Sequence, residues 1–431
     1  MKTLRKILLP AVATLVAFSA GAKENVKKEG ERQAQQPAPL KVIAEACDPS
    51  QSRTDLAVNN VRATILGGGD MWWDLTSGQY EVPVGSNKHS LFAGSLWFGG
   101  LDDGNQLKVA AMTYRQTGND FWPGPIDPVT VSTDKTVCDE FDKHFRITLS
   151  EVKELKAWMD DPAVTGYTPS SEVLNWPGNR TPNTPGMLAP FVDGDQDGIY
   201  AHNTNNNGDR ASGDYPAYDL DNSIDCGSLD SEDDGILFGD ETLFWVFNDK
   251  GDIHSESGAE AIGLEIHAQA FGFATNDEIN DMTFYSYKII NRATTTLNQT
   301  YIGQWVDPDL GKYDDDYVGC DVARGLGYCY NGDNNDEGAT GYGNRPPAIG
   351  ADFFQGPLAD AGDGIDNDRD GTIDEAGEQI IMSKFVYYNN DFSLTGNPST
   401  GTHFYNYLDG KWKDGQKIVY GGDGRTSGGV L

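Results

Sequence analysis

The chain has 431 residues and a formal net charge of −34, and its 66 acidic side chains divide into 48 Asp and 18 Glu. Asp is poor in helices and suits turns, caps and metal loops, so the excess points to loops that hold something. With 38% hydrophobic residues against 23% charged, the chain can bury sizeable cores and is no disordered acidic tail; with no basic block, the charge argues against nucleic acid or anionic lipid as a partner.

Residues 1–22 read as a signal peptide: a basic MKTLRK, an apolar ILLPAVATLVAFSA too short for a stop-transfer helix, and a small-x-small cleavage site at Ala20-Gly21-Ala22. No later apolar run is long enough to cross a bilayer, so the expected product is secreted or attached to the outer cell surface. Residues 23–40 are polar and read as a flexible leader. Residues 41–137 form an expected N-terminal β domain, in which SLWFGG, LDDGNQ and LKVAAMTYR give strand, turn and strand, with turn chemistry at Asp103-Gly104.

The region 138–240 opens on a helix. Thr148 and Glu151 have capping-box spacing, and Leu149, Val152, Leu155 and Trp158 recur at helical intervals until Asp161-Pro162. A long Asp-, Pro- and Asn-rich stretch follows, of a length that needs something to order it. From 241 to 431 the strand signal returns in ETLFWVFND, GLEIHAQAFGFA, MTFYSYKIINRA and TYIGQWVDPDLG, with a turn expected at Asn248-Asp249-Lys250-Gly251. Successive strands without intervening helices imply antiparallel pairing. The expected fold is therefore mainly β, an antiparallel sandwich or jelly roll with long calcium-ordered loops and one short packing helix. The final GGDGRTSGGVL offers no closing strand, and the last domain is expected to be incomplete. Among Cys47, Cys138, Cys226, Cys320 and Cys329, the pair close in sequence, Cys320 and Cys329, is the expected disulfide.

The sharpest local signal is Asp193-Gly194-Asp195-Gln196-Asp197-Gly198. Alternating carboxylates let the chain curl around one ion while Gly takes the turn, and oxygen-only ligands select calcium over zinc. The pattern recurs at Asp366, Asp368, Asp370 and Gly371, with Asp374 at position nine and an acid, Glu378, one residue past position twelve. The competing reading is a pair of hydrated Asp-Gly turns. A third cluster, Asp307, Asp309 and Asp315 with Asp314, Asp316 and Asp321, follows an apolar strand and could place another ion at a sheet end. Asp219, Asp221 and Asp225 are a weaker fourth group. No HExxH, GxSxG or phosphate loop is present, and no catalytic residue is identified. Trp72, Trp73, Trp97, Phe121, Trp122 and Trp245 suit core packing, with sugar stacking as the alternative.

The Asp-Gly loops look like the short calcium loops of thrombospondin type 3 and dockerin modules, over about a dozen residues each. More broadly, NNVRATILGGGDMWWD, SLFAGSLWFGG, LKVAAMTYRQTGNDFWPGP, LFWVFNDKG, GLEIHAQAFGFATNDEINDMTFYSYKIINR, GQWVDPDLGKYDDDYVGCD and RGLGYCYNGD together resemble large proteins exported by the type IX secretion system of gliding and related Gram-negative bacteria. The resemblance implies an extracellular, β-rich, modular protein with a C-terminal sorting domain, which this sequence does not display, and it supplies no catalytic residue. The expected function is a calcium-binding structural or adhesive surface protein with a glycan or protein of the cell surface or matrix as partner. A carbohydrate-binding or carbohydrate-cleaving protein is the alternative.

Overall fold

Two of the long strand runs lack polar alternation because they are covered on both faces. Glu241–Asn248 is buried at every position and Ala93–Leu101 at all but its last, and strands buried on both sides read as continuous apolar runs. The computed structural model describes residues 46–115, 118–161, 163–181, 184–201, 212–220, 235–419, 421 and 424–425. The expected signal peptide and leader lie outside them.

Two antiparallel sheets form the sandwich. The larger has eight strands, ordered Asn298–Asp307, Ala93–Leu101, Asp70–Met71, Arg62–Leu66, Tyr80–Glu81 and His89–Leu91, with Leu107–Ala111 also on Ala93–Leu101 and Arg53–Leu56 on Arg62–Leu66. The smaller has five, ordered Phe284–Asn291, Leu264–Gly272, Glu241–Asn248 and Trp122–Pro123, with Phe145–Thr148 also on Glu241–Asn248. Strands from both expected β segments thus share the larger sheet, since Trp305 pairs with Ser95 and Gly303 with Trp97.

The period of two sorts each strand between cores. Leu243, Trp245 and Phe247 face the sandwich interior with Ile65, Met71, Phe98 and Phe121. Phe244 and Val246 face outward into a second core with Val152, Leu155 and Met159 of the helix Leu149–Asp160. On the far side, Trp97, Val109, Ala111 and Trp305 pack against Phe404, Tyr407 and Leu408 of the helix Gly401–Leu408. The layer order is helix, sheet, sheet, helix. Gly99 and Gly303 make the second helix possible: a Cβ on Gly99 would lie 2.8 Å from the Tyr405 ring, and one on Gly303 2.7 Å from Leu408.

The capping box of Leu149–Asp160 is formed as expected: Thr148 Oγ1 accepts from Glu151 N, and Glu151 Oε2 from Thr148 N at 2.9 Å. The expectation of one helix is corrected, because Lys135–Phe141, Ser171–Leu174 and Gly401–Leu408 are also helical. Each spans eight residues or fewer, too short to establish a period.

The expected disulfide is also corrected. Cys47 bonds to Cys138, while Cys320 and Cys329 are free. The ladder between Asp316–Asp321 and Leu326–Asn331 sets Cys320 opposite Gly327 and Cys329 opposite Val318. The two cysteines are therefore diagonal cross-strand neighbours, with backbones about 7 to 8 Å apart, beyond disulfide reach. Cys226 lies outside the described residues. The turn expected at Asn248–Gly251 is instead the start of a long excursion over 249–263, closed where Asp249 accepts hydrogen bonds from Ile262, Gly263 and Leu264. Among the described residues no helix is long and apolar enough to cross a membrane.

Candidate metal loops

The first loop leaves the two-residue strand Phe191–Val192, whose partner is Tyr215–Pro216. Asp193, Asp195 and Asp197 each present a carboxylate oxygen, all within 4.8 Å of one another. The backbone wraps inward: Asp193 Oδ2 accepts from Gly198 N at 2.8 Å, Asp195 Oδ1 from Asp197 N at 3.3 Å and Asp197 Oδ1 from Ile199 N at 2.7 Å. Gln196 at φ 60° and Gly198 at φ 75° make the reversal.

The second loop repeats this geometry in a different sequence. Asp366, Asp368 and Asp370 converge within the same 4.8 Å. Asp366 Oδ2 accepts from Gly371 N at 3.1 Å, Asp368 Oδ1 from Asp370 N at 3.1 Å and Asp370 Oδ1 from Thr372 N at 2.7 Å. Arg369 at φ 59° and Gly371 at φ 100° take the same left-handed positions. Its base is closed by Ala359 N to Glu378 O and Ile380 N to Pro357 O, both 2.9 Å.

Three further carboxylates join these loops. Asp214, 1% exposed, sits behind the first and accepts from Gly194 N and Ala201 N. Burial pushes its carboxyl up to about 6, with Asp193 and Asp195 adding to the rise. Beside the second loop, Asp368 meets Glu375 and the buried Glu378 within 4.8 Å. A backbone hydrogen bond pulls the Glu375 carboxyl down, but desolvation and the charges of Glu378, Asp370 and Asp368 leave it raised. Asp374 points elsewhere: both its oxygens accept from Gly364 N at 3.2 Å. Buried oxygens Asp366 Oδ1 and Glu375 Oε2 have no hydrogen-bond partner.

The third expected cluster does not close into a triad like the others. Asp307 Oδ2 accepts from the Tyr114 hydroxyl at 2.7 Å, and burial raises its carboxyl. Asp309 is pushed up to about 7 by burial and by Asp307 and Asp316, and Asp316 to about 6 by burial, with Asp315 and Asp336 adding. Asp315 borders the group with a buried, unpartnered Oδ1. Of the fourth group, Asp221 and Asp225 lie outside the described residues.

These raised carboxyls set a pH dependence. A carboxyl whose folded value lies above its unfolded one costs stability once ionised, and that cost is relieved as pH falls through the folded value. In EDTA these carboxyls should therefore raise the melting temperature as pH is lowered from about 7.5 to 5.5, through the values of Asp309, Asp214 and Asp316. The gain is partly offset by the buried His144, whose imidazole is pushed down to about 4 by burial, so that its contribution is lost as pH falls. A profile that falls throughout by differential scanning calorimetry would contradict these assignments.

The aromatic clusters are core. Trp72, Trp73, Trp97, Trp122 and Trp245 are all 5% exposed or less, so no sugar can stack on them. Comparison with known protein families, curated proteins and solved structures finds no match to this chain.

Proposed function

We propose that this chain is a secreted or cell-surface calcium-binding protein with a structural or adhesive role, exported by the type IX route its sequence resembles. The observation that carries the reading is the shared geometry of the two Asp-Gly loops. They have different sequences and distant positions, yet the same three backbone-to-carboxylate hydrogen bonds and the same two left-handed residues turn three carboxylates onto one point. Crowding three carboxylates without a cation is electrostatically costly. A hard dication reverses that cost, and oxygen-only donors suit calcium. Extracellular calcium loops bind with dissociation constants of roughly 10⁻⁴ to 10⁻³ M, so they fill in calcium-rich surroundings and stay empty in a cytosol.

The ion's task is structural. It adds free energy only to the folded state and so holds Asp-rich loops that bury little apolar surface of their own. Millimolar calcium should raise the melting temperature well above its value in EDTA. Asp195→Ala and Asp368→Ala should each remove one bound ion by native mass spectrometry. Equal melting temperatures in EDTA and calcium, with no ion retained, would sink the reading.

A further inference from the structure

We propose that a separate calcium ion is held where strand Asn298–Asp307 ends and strand Asp316–Asp321 begins, by Asp309, Asp316 and Asn331. Asp316 is the hub. Its Oδ2 accepts from Leu310 N at 2.9 Å, which draws the carboxylate to the backbone immediately after Asp309. Across the ladder Asp316 lies directly opposite Asn331, so the two side chains share one sheet face as nearest neighbours.

Asn331 supplies the observation that an acidic cluster alone lacks. It is 7% exposed, and its Nδ2 donates to Asp333 O at 3.2 Å, which leaves Oδ1 as the free end of the amide. That oxygen is buried with no donor, as are Asp316 Oδ1 and the neighbouring Asp315 Oδ1. Buried acceptors without partners are rare in folded proteins, and an ion is one of the few things that explains several together. The nearby cation, Lys312, is turned to Asp314 at 3.0 Å. The donors proposed are two carboxylates and an amide oxygen, a hard set that fits calcium; the one sulfur beside them, the Cys329 thiol, is hydrogen-bonded to the Asp316 carboxylate. Asp307, satisfied by Tyr114, is outside the ligand set.

This site has no Asp-Gly loop and fills independently of the other two, which allows a clean test on the full chain. Native mass spectrometry in calcium of the Asp195→Ala, Asp368→Ala double variant should find one ion retained, and adding Asn331→Ala or Asp316→Asn should remove it. A double variant that binds none overturns the proposal while leaving the two-loop reading intact. One ion in the wild type that survives the double variant but not Asp316→Asn supports the site and overturns the loops instead. A second readout separates an ion from trapped water. Asp316→Asn should melt higher than wild type in EDTA, where it relieves repulsion, and lower than wild type in millimolar calcium, where it removes a ligand. The same sign in both media overturns the proposal.

Discussion

Replacing Cys47 and Cys138 together by Ser should lower the unfolding free energy by about 4 to 5 kcal/mol, a large share of what a domain has to lose. The bond spans 91 residues of sequence, and the cost of leaving so long a loop open grows only with the logarithm of its length, so this is close to the most that one crosslink contributes. It also ties the first described residues to the sandwich. Cys47 N donates to Gly251 O at 3.0 Å, and Trp122 packs with both cysteines. Urea unfolding of the double Ser variant measures the loss. A change under about 1 kcal/mol would mean that the Trp122 packing and the strand contacts hold this end by themselves.

Asp249→Ala should cost about 3 to 5 kcal/mol, for a different reason. The Asp249 carboxylate is 0% exposed and is the acceptor for three consecutive backbone N–H groups, at 2.6, 2.9 and 2.6 Å. Beside it His254 is buried with Nδ1 at 2.7 Å from Val109 O and Nε2 at 2.7 Å from Asp249 O. Asp249 Oδ2 lies 3.8 Å from Nε2 of that ring and Asp120 Oδ2 3.6 Å from its Nδ1. Asp120 is itself a clasp, accepting from Ala111, Glu256 and Ser257. Alanine at 249 strands three buried donors. Asparagine keeps an oxygen but sets an NH₂ among donors, so it should recover little. An Asn variant as stable as wild type in chemical denaturation would show that hydrogen-bond geometry, and not charge, carries this centre.

Asp249 also shows where the sequence was legible. ETLFWVFN identified its strand because burial on both faces leaves an unbroken apolar run. The Asp that follows read as a turn former because its bonding partners lie 13 to 15 residues away, outside any local pattern. The disulfide failed to show for the same reason at longer range. The Asp-Gly loops were legible because their bonds run from residue i to i+2 or i+5 and so appear as spacing. Asp214 and Glu378 reach those loops through chain that arrives from elsewhere, and spacing carries no trace of them. The helix Gly401–Leu408 was invisible because Gly, Asn and four aromatic or apolar residues in eight positions weigh equally for a loop. The evidence for it lies on the facing strands, in Gly99 and Gly303.

That helix gives the second metal loop a particular mechanical setting. The stretch 353–400 leaves strand Ala348–Asp352 and ends at a helix seated in the glycine hollow of the larger sheet, and between them Val386 and Tyr388 pack on the same core as that helix, so it is a strap anchored at both ends and pinned once between. Pinching a dozen residues out of such a strap changes its closure entropy by only a few tenths of a kcal/mol. An ion in the second loop, as proposed above, would therefore stiffen the strap locally and add little to either anchorage. On that calcium reading, losing this ion would slacken the strap at temperatures below melting while the sandwich keeps its fold, and would lower the melting temperature because the ion binds only the folded chain; a chain cut there would keep its two ends attached.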